Sequence, residues 1–413
     1  MPSLRWLLVL AALVTAGAAT PADAQLPKLK KVKDAVKKVG KIAGDAKSAD
    51  SAAAKPADSA AAKPAEAGAG ASNQPPAKAD TAKPAARKDA KIWENYDFIP
   101  GNKVIFYTDF TEDKVGNFAR GLKYVSGPIE VVERDGAKVL RSIGRSQFLI
   151  PVGRQLPERF TLEIDVIAPE KPCCGYEVLN FEGGPTLNRG DKSAEIIWHP
   201  GGTMIFGSGQ NANSAVKIPD AMQPALMGNV AHIRALMDGP YFKLYTNERR
   251  MYNIPELAFR RDSVIRVFVN GDEEDGMAVF VTRIRVAESE TDVLYDALAA
   301  KGRWSTQGIL FATGKADLQP ESRPVLKEIA ATLKDHADLK ILIEGHTDNV
   351  GTPASNLTLS DARAAAVKTA LVADFGVNAD QITTKGMGDT KPTAPNTTAA
   401  GRAQNRRVDI VKQ

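Results

Sequence analysis

Cysteine is nearly absent from this chain. Its 413 residues hold two, Cys173 and Cys174. Adjacent cysteines exclude a long-range disulfide within one chain, so any core must be held by packing. In an oxidising compartment the pair, flanked by Pro172 and Gly175, has three outcomes: a strained ring within a turn, two free thiols, or a bridge to another molecule. Histidine is also scarce. With four in the whole chain, His346 has no partner at metal-ligand spacing, and no metal or cofactor is expected. Long apolar runs are missing too. The longest, Trp6 to about Ala19, has roughly 14 residues against the ~20 a helix needs to span a bilayer. Charge of one sign is not in large excess either. The net +5 comes partly from one short stretch near the start and does not point to nucleic acid.

What is present allows two or three domains. Hydrophobic content of 43% and charged content of 25% suffice for at least one core. The first residues read as a targeting signal (1–24): Arg5, then the short apolar run, then small residues at Ala22-Asp23-Ala24 before Gln25. No cysteine follows the run, so a lipoprotein anchor is not expected. From Gln25 to Ser48 eight lysines surround Leu26, Leu29, Val32, Val36, Val39 and Ile42 at helical spacing. This segment (25–48) reads either as a basic amphipathic helix making peripheral contact with an anionic membrane or as a solvated tail. Residues 49–91 repeat Ala-Asp-Ser-Ala-Ala-Ala-Lys-Pro at Ala49–Pro56 and Ala57–Pro64. Almost no large apolar side chain offsets the entropy of ordering here, so this is expected to be a linker. As a flexible coil it would reach roughly 36 Å.

Over 92–287 the pattern changes to short β-like runs separated by Gly, Pro and Asp-Gly turns. In Phe160-Thr161-Leu162-Glu163-Ile164-Asp165-Val166 apolar and polar residues strictly alternate. About ten such runs, with no long helix between them, predict an all-β sandwich. A connector (288–307) containing a short helix around Asp292–Ala300 follows. The final region (308–413) alternates strand and helix. Ile309–Phe311 reads as a strand, and Leu326, Ile329, Ala330 and Leu333 as one apolar helix face. Ile341 and Ile343 mark a second strand, and a second helix runs from about Leu357 to Phe375, with Gly376 at a left-handed C-cap. This is a small α/β sandwich.

The chemistry concentrates in Glu344-Gly345-His346-Thr347-Asp348-Asn349-Val350-Gly351, continuing through Asn356-Leu357-Thr358-Leu359-Ser360 to Arg363-Ala364. A strand ends in a polar loop with Asp348, and Arg363 follows in the first turns of the next helix. The two charges can face one cleft. A planar guanidinium suits a carboxylate and an aspartate suits an ammonium, so a free amino-acid head would match the pair. The competing reading is an internal Asp348–Arg363 salt bridge that only orders the loop.

This segment closely resembles the OmpA-like family. The pattern Thr-Asp-x-x-Gly, then Asn-x-x-Leu-Ser-x-x-Arg-Ala, is matched without gaps, and Lys385-Gly386-Met387-Gly388 and Asn405-Arg406-Arg407-Val408-Asp409-Ile410 agree as well. The resemblance covers about 105 residues. It implies a peptidoglycan partner. Asp348 would meet the ammonium and Arg363 the carboxylate of diaminopimelate in the stem peptide, with Thr347, Asn356, Leu359 and Arg406 lining the pocket. One departure is Ala312, where many members carry Asp after the first-strand Phe. The β region resembles laminin-G/concanavalin-like jelly rolls through Asp109-Phe110 and Phe242–Asn247, a likeness of pattern without a ligand motif.

Two weaker features lie in the β region. Glu163 and Asp165 resemble part of the paired-carboxylate strand of jelly-roll glycoside hydrolases, which need one carboxyl as acid and another as nucleophile or base. The third acidic position is absent, and solvent-facing carboxylates are the expectation. Asp272-Glu273-Glu274-Asp275 offers hard oxygens for calcium, with a solvated hairpin loop as the plainer reading. The sequence therefore predicts a non-enzymatic anchor in the periplasm or at the outer-membrane periphery of a Gram-negative-type envelope. Its sandwich would take a glycan or an envelope protein. The competing readings are a wall-tethered glycan hydrolase using Glu163 and Asp165, and a purely structural linker between outer membrane and wall.

Overall fold

The computed structural model describes residues 96–170, 177–185, 193–207, 214–272, 276–289 and 294–413. The expected signal, basic segment and linker, the Cys173-Cys174 pair, and residues 273–275 of the acidic run lie outside the described residues.

In chain order the first region contains β1 (Lys103–Thr108), β2 (Lys123–Ser126), β3 (Ile129–Arg134), β4 (Ala137–Ser142), β5 (Arg145–Pro151), β6 (Arg159–Ile167), β7 (Leu179–Gly183), β8 (Glu195–His199), β9 (Gly202–Phe206) and β10 (Ser214–Lys217). A single turn α1 (Gln223–Leu226) precedes β11 (Val230–Asp238), β12 (Tyr241–Thr246), β13 (Arg249–Ile254), β14 (Val264–Asn270) and β15 (Val279–Glu288). An eight-stranded sheet has the order β13-β12-β11-β6-β15-β4-β3, with β1 also on β15. A seven-stranded sheet has the order β10-β9-β8-β7-β14-β5-β2. The two share one apolar core: Leu162, Ile164 and Val166 of β6 and Ile284 of β15 meet Phe148, Ile150, Trp198 and Val267 of the other sheet. Trp198 Nε1 donates to Thr246 Oγ1 at 3.1 Å, which satisfies the only polar atom of a fully buried indole. The expected runs are present. Further strands, β2, β5, β7, β10 and β13, pair beside them.

The second region runs α2 (Leu294–Lys301), β16 (Arg303–Thr306), α3 (Arg323–Asp335), β17 (Ile341–His346), α4 (Pro353–Ala373), β18 (Ile382–Gly388), α5 (Ala399–Asn405) and β19 (Val408–Lys412). Its sheet has the order β16-β19-β17-β18, with β17 and β18 parallel. Ile341, Ile343, Val408 and Ile410 from the sheet pack on Ile329, Leu333, Val367 and Leu371 from α3 and α4. The two helix faces lie where periodicity places them, and Gly376 is left-handed at φ 66°. Ile309–Phe311 is not a strand; Phe311 makes only a single bridge to Leu318. Ser322 is the reason. Its hydroxyl accepts from Leu310 N at 2.8 Å and donates to Leu310 O at 3.1 Å, satisfying the backbone that a sheet neighbour would otherwise bond. The edge strand is β16 instead, earlier in the chain. Helix α4 starts before Leu357 because Thr352 and Ser355 form a capping box ahead of Pro353.

A bulge in β15 arranges the charges of the first region. The register against β6 shifts between Val281 and Arg283. Val279 and Val281 face the core before the shift, and Ile284 and Val286 after it. The change of parity puts Arg283 opposite Asp165 and Arg285 opposite Glu163. On the other flank of β6, β11 sets His232 opposite Asp165 and Arg234 opposite Glu163. The result is a charge ladder on the outer face of the eight-stranded sheet. The second region covers this face, and Glu321 approaches His232 Nε2 at 3.7 Å.

Candidate functional site

The site forms where β17 ends. His346 N donates to Arg407 O at 3.0 Å and Thr347 N to Gly388 O at 2.9 Å, so the strand is pinned to both neighbours up to its last residue. Glycines at 345 and 386 let α4 lie against this strand pair. A Cβ at Gly345 would fall 2.3 Å from Ser360 O, and one at Gly386 2.6 Å from Asp361 N.

The loop that follows is organised by Asp348. Its Oδ1 accepts from Val350 N at 3.1 Å, an Asx turn, and its backbone carbonyl accepts from Asn356 Nδ2 at 3.2 Å. Its Oδ2 accepts from Arg406 Nη1 at 2.6 Å. The partner of Asp348 is therefore Arg406, at the C-terminal end of α5, and not Arg363. The internal Asp348–Arg363 bridge does not form. Thr347 Oγ1 is buried beside this loop without a hydrogen-bond partner among the described residues.

Arg363 sits in the third turn of α4, later in the helix than the sequence suggested. Its Nε donates to Lys315 O at 3.0 Å, and its guanidinium lies 5.0 Å from the centre of the Phe311 ring. Among the described residues no carboxylate pairs with it. Burial and then the neighbouring Arg406 push its pKa down, and Asp348 offsets this only in part. The side chain is thus a partly desolvated cation with an unmet demand for an anion. For Arg406, burial is outweighed by Tyr107, Asp348 and Asp109, which raise its pKa.

A cavity of about 150 Å³ opens at these arginines, with Phe311, Gly345, His346 and Val408 in its walls. Of the residues singled out by sequence, Arg363 and Arg406 line it. Asp348, Thr347 and Asn356 stand behind Arg406, joined to it through the Asp348 carboxylate. Leu359 is half-buried on α4 and does not line it. Sequence reasoning missed Tyr107, whose ring lies 5.1 Å from the Arg406 guanidinium carbon and which reaches the cavity from β1. No local signal in the sequence marks it, because the contact crosses about 300 residues.

His346 does have neighbours that spacing did not show. Glu344, His346 and Asp409 bring ligand atoms within 4.8 Å of one another, because Glu344 and Asp409 are cross-strand partners. The donor set is nonetheless that of an ion-pair network. Arg303 Nη1 lies 2.8 Å from Glu344 Oε2 and 2.5 Å from Asp409 Oδ2, and Arg407 Nε donates to Asp409 Oδ1 at 3.0 Å. Two guanidiniums already occupy the charge a dication would neutralise.

The pair Glu163 and Asp165 overturns the expectation of solvent-facing carboxylates. They do point away from the sandwich core, but they are 3% and 6% exposed because the second region covers that face. Arg285 pairs with Glu163. Asp165 accepts from Arg234 Nη1 at 2.6 Å, Arg283 Nε at 2.7 Å and His232 Nδ1 at 2.9 Å. Burial alone would raise both pKa values. Arg285, Arg234 and Arg283 outweigh it at Glu163, and Arg234 and Arg283 hold Asp165 well below the usual carboxylate range. A glycoside hydrolase needs one protonated carboxyl as acid, and this pair supplies none.

The last region is an α/β domain whose strand end, loop and helix present a guanidinium with no carboxylate partner among the described residues, beside an Asp–Arg pair, suited to holding a small anionic group. Residues 310–406 match the OmpA family. Over 101 residues the chain is 40% identical to outer membrane porin F of Pseudomonas aeruginosa, covering 24% of this chain and 29% of that protein. Over 103 residues it is 44% identical to the peptidoglycan-binding protein ArfA of Mycobacterium bovis, covering 25% of this chain and 31% of that one. Among solved structures it is similar to the peptidoglycan-associated lipoprotein from Burkholderia pseudomallei: 36% identity, 30% of this chain, 100% of that chain, TM-score 0.26. The chain spans less than a third of the length of the two curated relatives. The C-terminal domain of this chain is an OmpA family domain.

Proposed function

We propose that this protein is a non-enzymatic anchor that holds peptidoglycan non-covalently in the bacterial envelope, by the zwitterionic head of diaminopimelate. The unpaired Arg363 guanidinium beside the Asp348–Arg406 pair carries this reading. The ligand carboxylate would lie on Arg363. Its ammonium would reach past Arg406 to Asp348, which stands behind that arginine outside the cavity walls and also orients it. The name of the mycobacterial relative, a peptidoglycan-binding protein, supports the same assignment. The remaining organisation completes it. A signal (1–24) directs export to the periplasm or outer-membrane periphery, a basic segment (25–48) contacts membrane, and a linker (49–91) gives reach. The two-sheet region, a concanavalin/laminin-G-like jelly roll, is carried to the wall to meet a glycan or an envelope protein.

The test is co-sedimentation of the full chain with purified peptidoglycan, with free diaminopimelate as competitor. Arg363→Ala and Asp348→Asn are expected to lose pelleting, since truncating one partner of a charge pair in a cleft costs about 2–5 kcal/mol. Asn is used at 348 because it still accepts from Val350 N, so the loop is kept. Pelleting of a folded double variant at the wild-type level would sink the proposal.

A further inference from the structure

We infer that the sandwich is itself part of the ligand site, and that Tyr107 on β1 determines which amino-acid heads the cavity accepts while positioning Arg406. This rests on the reading above that a ligand carboxylate binds at Arg363.

The cavity has walls from both regions. The sandwich brings Tyr107, Glu163, Arg283 and Arg285, opposite Arg363 and Arg406. The sandwich's own arginines are committed: Arg285 to Glu163 and to Gly101 O at 2.5 Å, and Arg283 to Asp165. Tyr107 is what β1 leaves to act on the site. Arg406 is held between the Asp348 carboxylate on one side and the Tyr107 ring on the other, so both an ion pair and a cation–π contact fix its plane.

Tyr107 is in turn fixed. Its hydroxyl donates to Asp109 Oδ2 at 3.2 Å, and Asp109 Oδ1 accepts from Thr111 N at 3.2 Å and Thr111 Oγ1 at 2.7 Å. The next residue, Phe110, is buried at φ 61°, a region that bulky side chains rarely enter and that persists only where the surroundings over-determine it. The strand is also tied to the helix that carries Arg406. Val104 N donates to Gln404 Oε1 at 2.7 Å, Gln404 Nε2 donates to Asn102 O at 2.8 Å, and Arg402 pairs with Glu112. The ring therefore keeps its place relative to Arg406 without help from a ligand.

The consequence is a limit on size. A cavity of about 150 Å³ takes a group about as large as benzene. That is room for the carboxylate-bearing end of an α-amino, α-carboxyl head, in a cavity that is open at its mouth. Tyr107 forms part of the wall, and in this inference it hinders a group extended past the carboxylate, so that a free head is favoured over an extended one.

The experiment is calorimetric titration of the full chain with diaminopimelate and with diaminopimelate extended by glycine at both carboxyls. Wild type is expected to prefer the free compound. Tyr107→Ala should bind it about three- to tenfold more weakly, the scale of a partly desolvated cation–π contact, and should narrow the preference for the free head. Tyr107→Phe should restore both, which a loss of general packing would not explain. Tyr107→Leu serves in place of Tyr107→Ala if the latter does not fold, since it fills space without an aromatic face. A folded Tyr107→Ala or Tyr107→Leu with wild-type affinity and wild-type preference overturns the inference alone. Failure of wild type to bind diaminopimelate overturns the earlier proposal, and this one with it.

Discussion

Two groups of arginines and carboxylates meet at the same cavity, and they differ in completeness. On the sandwich side, Glu163 and Asp165 are surrounded by Arg234, Arg283 and Arg285 through cross-strand register, and every one of these groups has a charged partner. On the other side, Asp348 has Arg406 and Arg363 has no carboxylate among the described residues. Both contain the residue types associated with chemistry, and only one leaves a charge unmet. The difference teaches that residue type alone is a poor guide to function. A paired charge buried on all sides is architecture, and a desolvated charge lacking its partner is a request for a ligand.

The largest expected effect breaks the closed group. Asp165→Ala leaves buried guanidiniums uncompensated and should cost about 3–5 kcal/mol, read as a lower midpoint in denaturant. If the variant melts like wild type, the ladder is not what holds that face. The open group should behave in the opposite way. Arg363→Lys keeps the charge but not the planar fork, and should lose at least tenfold in affinity for diaminopimelate with little change in melting temperature. Equal loss of stability in Arg363→Lys and Asp165→Ala would erase the contrast between the two groups.

Acid should separate them further. The carboxyls of Glu163 and Asp165 sit below their ordinary values of 4.5 and 3.8 when folded. Their contribution to stability is complete above those unfolded values and is lost as pH falls through the lower folded ones. The melting temperature should drop on acidification below about pH 4, and the drop should be shallower in Asp165→Asn. A slope identical to wild type would assign acid sensitivity elsewhere. The smallest effect belongs to the loop: Thr352→Ala removes the cap of α4 and should cost about 1 kcal/mol, with a modest loss of binding through the loosened Asp348 turn.

Much of this was legible beforehand. Alternation in β6 separated Leu162, Ile164 and Val166 from Glu163 and Asp165, and helical spacing picked out Leu326, Ile329, Ala330 and Leu333 as a buried face. The ordered motif from Thr347 to Arg363, with Arg406 beyond it, singled out two residues that line the cavity, Arg363 and Arg406. Helix α5 escaped because Ala, Gly, Arg, Gln and Asn carry no apolar period over seven residues.

What the sequence by itself determined is the side of each element on which a residue lies, because strand and helix periods are local and are set by neighbours two to four positions away. What only the tertiary structure decided is partnership. A bulge of one residue in β15 aligned Arg283 and Arg285 with the acids of β6, the docking of the second region buried those acids, Arg406 rather than Arg363 took Asp348, and β1 delivered Tyr107 to Arg406. Each of these pairings joins residues far apart in the chain, where register and docking fix distance and no local period carries the information.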